Sequence, residues 1–179
     1  MKQRIIIFDG PDGNGKTEMA KELSKRTGIP YFKNETEWSA FRKSSQSSDF
    51  INMLRYADPY FLQFLQQTEA SVIIDRAYPS EWVYSKEFGR DSDNDALAAS
   101  DAAYASLGAL IIVPWRTTYN CGDKHNDVIT PNVRRNLDTL YNRFCSWTKC
   151  QVIRINVDDE DLNREMNYIM QYMQLLQKC

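Results

Sequence analysis

The feature that most constrains the fold is a glycine-rich segment that directly follows an apolar run near the N-terminus. Residues 4–8 are Arg-Ile-Ile-Ile-Phe, and the segment Gly10-Pro11-Asp12-Gly13-Asn14-Gly15-Lys16-Thr17 fits the pattern G-x-x-x-x-G-K-[ST] at every fixed position. Glycines let such a loop curl so that backbone N–H groups point at phosphate oxygens, and the helix that follows directs its positive end at the same anion. In this pattern the lysine reaches the β- and γ-phosphates and the hydroxyl ligates Mg²⁺. The segment therefore predicts a nucleotide site with Lys16 and Thr17 in these two roles.

The rest of the chain alternates between apolar runs and helix-like segments. Strands are predicted at 4–8, 29–33, 72–74, 110–113 and 152–157; helices are predicted at 16–27, at 37–68 with an interruption near Asp58-Pro59, at 80–107 with a polar stretch at 90–95, at 132–147, and from Asp158 or Asp159 onward. Continuous apolar strands that alternate with helices indicate βαβ units and a parallel sheet covered on both faces. We expect one α/β domain over residues 1–179, with ligands at the carboxyl ends of the strands.

The overall composition narrows the function classes. The 22 basic and 24 acidic residues give a net charge of −2, so the chain lacks the strongly basic balance of a dedicated nucleic-acid binder. No apolar run approaches the roughly 18 residues of a membrane span. The apolar run near the N-terminus is too short for a signal peptide, and we expect a cytoplasmic protein with no membrane partner. A single histidine and four cysteines without a C-x-x-C pair argue against a zinc site.

Two motifs resemble those of one kinase superfamily. The segment from Phe8 to Thr17 is similar to the F-E-G-x-D-G-x-G-K-[ST] opening of thymidylate kinases, and Asp75-Arg76-Ala77-Tyr78 resembles their D-R-[YH] motif. The chain is therefore identified as similar to the thymidylate kinase and deoxynucleoside kinase superfamily, and its small size resembles the compact viral members. The resemblance implies a three-layer P-loop kinase fold with a five-stranded parallel sheet, a short lid over about 116–130, ATP and Mg²⁺ as cofactors, and a homodimer.

The resemblance also implies roles for individual residues. Asp12 matches the loop carboxylate that contacts the sugar 3′-hydroxyl of the acceptor. Arg76 would hold the acceptor phosphate, and Asp75 would act near Mg²⁺ or its waters. Arg55 lies close to the spacing of a second acceptor-phosphate arginine. Further substrate contacts are expected from acidic and aromatic side chains in the segments that flank the acceptor site, namely Glu35, Trp38, Tyr56 and Tyr84.

The phosphate-binding loop carries Asn14 where some members of the superfamily carry an arginine. Members without the loop arginine supply one from the lid, so the resemblance implies a catalytic arginine in or near residues 116–130. The candidates are Arg116, Arg134 and Arg135, and the sequence leaves the choice between them open.

The sequence also leaves the acceptor open. Asp9 replaces the usual glutamate of the opening motif, Pro59 stands where an L-F-A-A-D-R motif would have its arginine, and residues 34–38 are similar to the E-P-x-x-x-W stretch of deoxynucleoside kinases. The phosphate oxygen of a monophosphate is already an adequate nucleophile, whereas a hydroxyl acceptor requires a carboxylate base. The candidates for such a base are Asp9, Glu35 and Glu37.

Three functions follow from these patterns. The favoured one is a kinase that transfers the γ-phosphate of ATP to a deoxynucleoside monophosphate, dTMP or a related pyrimidine. The second is a deoxynucleoside kinase, or a kinase that acts on a hydroxyl of a modified base, free or in DNA; the acidic balance disfavours a polymer acceptor. The third is a non-catalytic nucleotide-binding switch. A small-molecule nucleotide is thus the expected partner.

Overall fold

The protein is described by a computed structural model, which covers residues 3–34, 51–118 and 130–175. Within these ranges five strands form one sheet. They are β1 (Ile5–Phe8), β2 (Tyr31–Lys33), β3 (Val72–Asp75), β4 (Leu110–Trp115) and β5 (Gln151–Asn156). The order across the sheet is β2-β3-β1-β4-β5 and every pairing is parallel. The expected five-stranded parallel sheet is thereby confirmed.

The register of the sheet places the sequence motifs at one edge. Phe8 in β1 lies opposite Asp75 in β3 on one side and opposite Ile112 in β4 on the other. Since all strands run the same way, the segments that follow β1, β3 and β4 leave the sheet at the same edge. The phosphate-binding loop, Arg76 and Arg116 therefore start from neighbouring strand ends.

Six α-helices cover the two faces of the sheet in the described residues. They are α1 (Lys16–Thr27), α2 (Asp58–Thr68), α3 (Tyr78–Glu87), α4 (Asn94–Ser106), α5 (Pro131–Trp147) and α6 (Leu162–Leu175). Successive side chains of a strand point to opposite faces, so the two faces hold separate apolar clusters. One cluster joins Ile5, Ile7 and Ile74 to residues of α2 to α5. The other joins Ile6, Phe8 and Ile73 to residues of α1 and α6.

Several predicted boundaries need correction. The helix expected over 80–107 is two helices, because Asp93 ends the polar stretch as the N-cap of α4, where its side chain accepts from Ala96 N. The interruption expected near Asp58-Pro59 is a π-helical turn, Met53–Ala57, that passes directly into α2. Pro59 lies in the first turn of α2, directly after the π-helical turn, so the change in helical hydrogen bonding coincides with the residue that lacks a backbone N–H. The last helix starts at Leu162 rather than at 158 or 159, and residues 158–159 form a turn.

The helices that the structure describes include none that is both long enough and apolar enough to cross a membrane.

Candidate nucleotide-binding site

The glycine-rich loop has the backbone that phosphate binding requires. Gly10, Gly13 and Gly15 all have positive φ angles of 152°, 81° and 70°, which residues with a Cβ rarely adopt. At Gly10 a Cβ would also lie 3.1 Å from the carbonyl oxygen of Pro114. Asn14 donates its side-chain amide to that same carbonyl at 2.9 Å. The loop is thus fastened to the end of β4 and opens directly into α1.

Lys16 is enclosed by the loop that it would serve. Its Nζ donates to the carbonyl oxygen of Pro11 at 2.6 Å, and the residue is 6% exposed. Burial, together with the positive charge of Arg76, lowers the pKa of Lys16 to about 7. An anion placed in the loop would counter both effects, because it favours the charged ammonium. The lysine is therefore poised for a phosphate rather than for a neutral ligand.

Thr17 and Asp75 meet at the end of β3, as the sequence predicted for a metal site. Thr17 Oγ1 donates to Asp75 Oδ2 at 2.6 Å, and Asp75 is 2% exposed. One hydroxyl and one carboxylate beside a phosphate loop match the oxygen ligands that Mg²⁺ takes when it binds through a nucleotide. The residues present therefore fit the magnesium ion that the fold implies.

Asp12 and Arg76 form the second part of the site. Arg76 directly follows β3 with a left-handed φ of 66°. Its Nη2 is ion-paired with Asp12 Oδ1, and its Nη1 donates to Ser80 Oγ at 3.0 Å. Tyr84 donates its hydroxyl to Asp12 Oδ2 at 3.0 Å, while its ring lies 5.4 Å from the guanidinium carbon of Arg76. The structure thus brings three predicted site residues into contact beside the loop.

The pKa values of this group follow from its surroundings. Burial raises the pKa of Tyr84, so its hydroxyl stays protonated and can donate. Burial alone would raise the pKa of Asp12, but the charges of Arg76 and Lys16 outweigh it and hold that pKa below its usual value. Asp12 is therefore a carboxylate at neutral pH, and both of its oxygens already accept a hydrogen bond or ion pair.

The carboxylate of Asp9 accepts five hydrogen bonds from the segments around it. Its Oδ1 accepts from Gly10 N at 2.9 Å, Ser80 Oγ at 2.7 Å and the hydroxyl of Tyr141 at 2.7 Å. Its Oδ2 accepts from the N–H groups of Ala77 at 3.0 Å and Ser80 at 3.2 Å, which lie at the N-terminus of α3. The residue is fully buried. Five donors leave this carboxylate no ready lone pair for a substrate proton, which disfavours Asp9 as a general base.

The three lid-arginine candidates face different partners. Arg134 lies in the first turns of α5, and its charge is among the causes that lower the pKa of Asp12. Arg116 follows β4 and is ion-paired at 2.6 Å with Glu160, which lies four residues after the end of β5. Arg135 donates to Asn132 on the surface of the same helix as Arg134. Arg134 is therefore the candidate whose charge acts on the predicted acceptor side.

Two further predicted substrate residues, Arg55 and Tyr56, do not belong to this group of contacts. Arg55 lies in the π-helical turn and pairs with Asp93 at 2.5 Å, and Tyr56 beside it is 70% exposed. Their proposed roles stay predictions. Glu35, Glu37 and Trp38, and most of the lid predicted at 116–130, lie outside the described residues.

The sequence analysis did not identify three residues that contact the site, namely Tyr31, Ser80 and Tyr141. Tyr141 lies two turns after Arg134 on the same face of α5, and this spacing of seven residues could have pointed to it. Ser80 lies in the D-R motif segment but has no role in the motif itself. Tyr31 donates to Asp75 Oδ2 at 2.9 Å, and only the sheet order reveals that contact.

Comparison with known proteins places this site in a family. A family model described as an AAA domain (AAA_28) matches residues 5–162, which include both sequence motifs. The chain belongs to this AAA-domain family. Comparison with curated protein sequences yields no match, so the likeness beyond the family is structural.

Solved structures match over almost the whole chain of this AAA-domain protein. The YorR protein of Bacillus subtilis in complex with phosphorylated GDP has a TM-score of 0.68 at 18% identity, with 98% of each chain covered. A thymidylate kinase from Ehrlichia chaffeensis has a TM-score of 0.61 at 15% identity, covering 97% of this chain and 98% of that one.

A deoxyadenosine kinase from M. mycoides with bound dCMP and dCDP has a TM-score of 0.55 at 18% identity, covering 96% of this chain and 99% of that one. The chain therefore has the fold of nucleotide and nucleoside kinases, which are phosphotransferases. The P-loop kinase fold implied by the two sequence motifs is confirmed.

Proposed function

We propose that this protein is a kinase that transfers the γ-phosphate of ATP, with Mg²⁺, to a deoxynucleoside monophosphate. The observation that carries the proposal is the composition of the corner beside the phosphate loop. Two cationic side chains, Arg76 and Arg134, act there on Asp12, while the carboxylates of Asp9 and Asp12 are occupied by donors. Such a corner suits an acceptor that is already anionic and needs no base.

Phosphoryl transfer requires that the protein position the donor and the acceptor and place positive charge around the transferred phosphoryl group. The loop amides and Lys16 would bind the β- and γ-phosphates of the donor. Thr17 and Asp75 would hold the magnesium ion, which supplies charge neutralisation between the phosphates when bound. Arg76 would bind the acceptor phosphate through its guanidinium fork, because a planar fork pairs with two phosphate oxygens at once.

Asp12 and Tyr84 would orient the sugar of the acceptor. Tyr84 and Arg76 each contact a different oxygen of Asp12, so each oxygen keeps one lone pair that can accept from a sugar hydroxyl. Arg134, carried by α5, would stabilise the charge that develops on the transferred group. Tyr141 connects the same helix to Asp9 and hence to the loop and to α3.

The likeness to a deoxyadenosine kinase keeps a nucleoside acceptor as the second candidate. The base in that case would be Glu35 or Glu37. We further propose that the protein acts in the cytoplasm on free nucleotides rather than on a polymer, as a homodimer and as a compact enzyme of the viral type.

The proposal is tested by the acceptor profile of the purified protein. ADP formation from ATP is measured with each deoxynucleoside monophosphate, each deoxynucleoside and single-stranded DNA, with and without Mg²⁺, and with Lys16→Ala as the blank. We expect Mg²⁺-dependent turnover with at least one monophosphate. Turnover with nucleosides alone would select the second candidate, and turnover that is independent of any acceptor would contradict both.

A further inference from the structure

Asp75 receives a second hydroxyl besides that of Thr17. Tyr31 in β2 donates its phenolic O–H to Asp75 Oδ2 at 2.9 Å, and Thr17 Oγ1 donates to the same oxygen at 2.6 Å. Two donors on one oxygen restrict the rotation of the carboxylate far more than one does. Tyr31 belongs to neither of the sequence motifs, and the reaction described above assigns it no part.

The sheet explains how Tyr31 reaches this position. β2 pairs in register with β3, so that Tyr31 lies opposite Ile73 and Lys33 lies opposite Asp75. Side chains two residues apart point to the same face of a sheet, so Tyr31 shares the α1 face with Asp75 and lies roughly 7 Å back along the strand direction. Its ring packs against the apolar cluster of that face. A phenol has the length to cover this distance, while a shorter side chain at this position would not.

We propose that Tyr31 is a positioning residue for the divalent-cation site. Its hydroxyl holds Asp75 turned toward Thr17, so that the carboxylate is already oriented when the cation arrives with the nucleotide. Partners behind a metal ligand commonly tune metal affinity in this way, because they fix the orientation of the ligand and favour its charged form. The inference rests on the proposed kinase function, since it concerns the cation of that reaction.

The contact is separable from the packing of Tyr31. Replacement by phenylalanine removes one oxygen and keeps the ring, the strand propensity and the position near Lys21, whose Nζ lies 5.8 Å from the ring centroid. Asp75 keeps its hydrogen bond from Thr17 in the variant. A purely structural role for Tyr31 would therefore predict a small change in stability and no specific change in the response to Mg²⁺.

The test is Tyr31→Phe against the control Tyr168→Phe, a tyrosine that is 49% exposed on α6. Thermal unfolding of each protein is followed with ADP alone and with ADP plus increasing Mg²⁺. We expect the shift produced by ADP alone to be the same in all three proteins. The Mg²⁺ concentration for half of the additional shift should rise roughly tenfold in Tyr31→Phe only, with a parallel rise in the Mg²⁺ requirement for turnover and little change in kcat at saturating Mg²⁺.

Two failures are distinguishable. If the unmodified protein shows no additional stabilisation by Mg²⁺ over ADP, the proposed function fails and this inference fails with it. If the unmodified protein responds to Mg²⁺ and Tyr31→Phe responds at the same concentrations, the positioning role of Tyr31 is wrong and the proposed function stands.

Discussion

Arg76 and Arg116 each follow a strand that flanks β1, yet the two strand ends are built differently. Arg76 pairs with Asp12 of the phosphate loop, and the side chains of the pair are 16% and 33% exposed. Arg116 pairs with Glu160, which follows β5, and the side chains of this pair are 15% and 62% exposed, so the two pairs differ in the exposure of the acidic partner and not of the arginine. The first pair places a guanidinium group beside the phosphate loop. The second pair connects the segment after β4 to the segment after β5. The two arginines therefore share a position at a strand end but differ in the location of the acidic partner, and which of them acts in the reaction stays a prediction.

The two ends also differ in how their surroundings are held. Around Arg76, which follows β3, the groups come from three further elements, because Asp9 connects the end of β1 to the first turn of α3 and, through Tyr141, to α5. Around Arg116 the contacts are local to the ends of β4 and β5, where Asp158 accepts from the backbone and the hydroxyl of Thr117 at 2.8 Å each. Substitutions at the two strand ends test whether this difference in contacts is also a difference in function.

Lys16→Ala should have the largest effect. Removing the ammonium from the loop takes away the main positive charge on the β- and γ-phosphates, and we expect the rate to fall by at least on the order of a hundredfold to a thousandfold. The fold should survive, because the described contact of the Lys16 ammonium group is a single hydrogen bond to the carbonyl oxygen of Pro11. ADP formation and thermal unfolding are measured together. An active variant would show that the loop does not bind the donor phosphates.

Arg76→Ala should weaken acceptor binding by roughly tenfold to a hundredfold, since a hydrogen bond to a charged group contributes about 1.5–3 kcal/mol. The KM for the acceptor is compared with that for ATP, and the latter should change little. Arg76→Lys is the matched control, because it keeps the charge near Asp12 but loses the planar fork. An acceptor KM that is unchanged in Arg76→Ala would remove Arg76 from the acceptor site.

Arg134→Ala and Arg116→Ala compare the two candidate lid arginines directly. We expect Arg134→Ala to lower kcat by on the order of tenfold or more, because its charge acts on the site. Arg116→Ala removes a partly exposed ion pair, which contributes at most about 1 kcal/mol to stability, and kcat should change by less than about threefold. The reverse result in these assays would mean that the end of β4, and not α5, supplies the catalytic arginine.

The affinity for ADP without Mg²⁺ should fall as the pH rises above neutrality. Burial and Arg76 bring the pKa of free Lys16 to about 7, while bound phosphates favour the protonated amine. Binding above pH 7 must therefore take up a proton, and the affinity should decrease by up to about tenfold per pH unit. Titration calorimetry from pH 6 to 9 measures this. Arg116→Ala should show the same slope, and a flat profile in the unmodified protein would mean that Lys16 stays charged throughout.

Asp58→Asn should affect stability and leave both strand ends unchanged. Burial raises the pKa of Asp58 to about 6 in the folded protein, against about 3.9 in the unfolded chain. The folded state thus holds the proton of the Asp58 carboxyl more tightly than the unfolded chain does. The stabilisation that comes from this proton is fully present below pH 4 and is lost as the pH rises through 6. The amide cannot ionise, and the variant should gain about 2–3 kcal/mol relative to the unmodified protein between pH 4 and 8. The free energy of unfolding in urea is measured for both proteins from pH 4 to 8. Parallel pH profiles of the two proteins would show that the pKa of Asp58 is ordinary.

The sequence was sufficient for the loop and the sheet because these depend on local patterns. The G-x-x-x-x-G-K-[ST] segment after an apolar strand specifies its own backbone, and Asp75 and Arg76 follow a strand that the apolar run identifies. The site around them depends on contacts between distant elements. Neither the neighbourhood of Tyr31 and Asp75 nor the five donors to Asp9 can be derived without the sheet order and the packing of α5.

The sequence left the choice between the candidate arginines open for the same reason. Arg116 and Arg134 are equivalent in the sequence, as both lie near the predicted lid. The fold distinguishes them, because Arg116 pairs with Glu160 whereas the charge of Arg134 helps to lower the pKa of Asp12. Arg55 shows the limit of spacing as a guide. Its distance from Arg76 along the chain gave no sign that it pairs with Asp93, the N-cap of α4, and its role as a phosphate ligand stays a prediction.

The most direct measurement of the central claim is the identity of the phosphorylated product. The protein is incubated with Mg²⁺, ATP labelled in the γ-phosphate, and a mixture of the four canonical deoxynucleoside monophosphates plus dUMP, and the labelled species are separated by ion-exchange chromatography. We predict that the label appears in a deoxynucleoside diphosphate and that Lys16→Ala abolishes this product. Label found only in orthophosphate, or transferred only when deoxynucleosides replace the monophosphates, would contradict the proposed monophosphate acceptor.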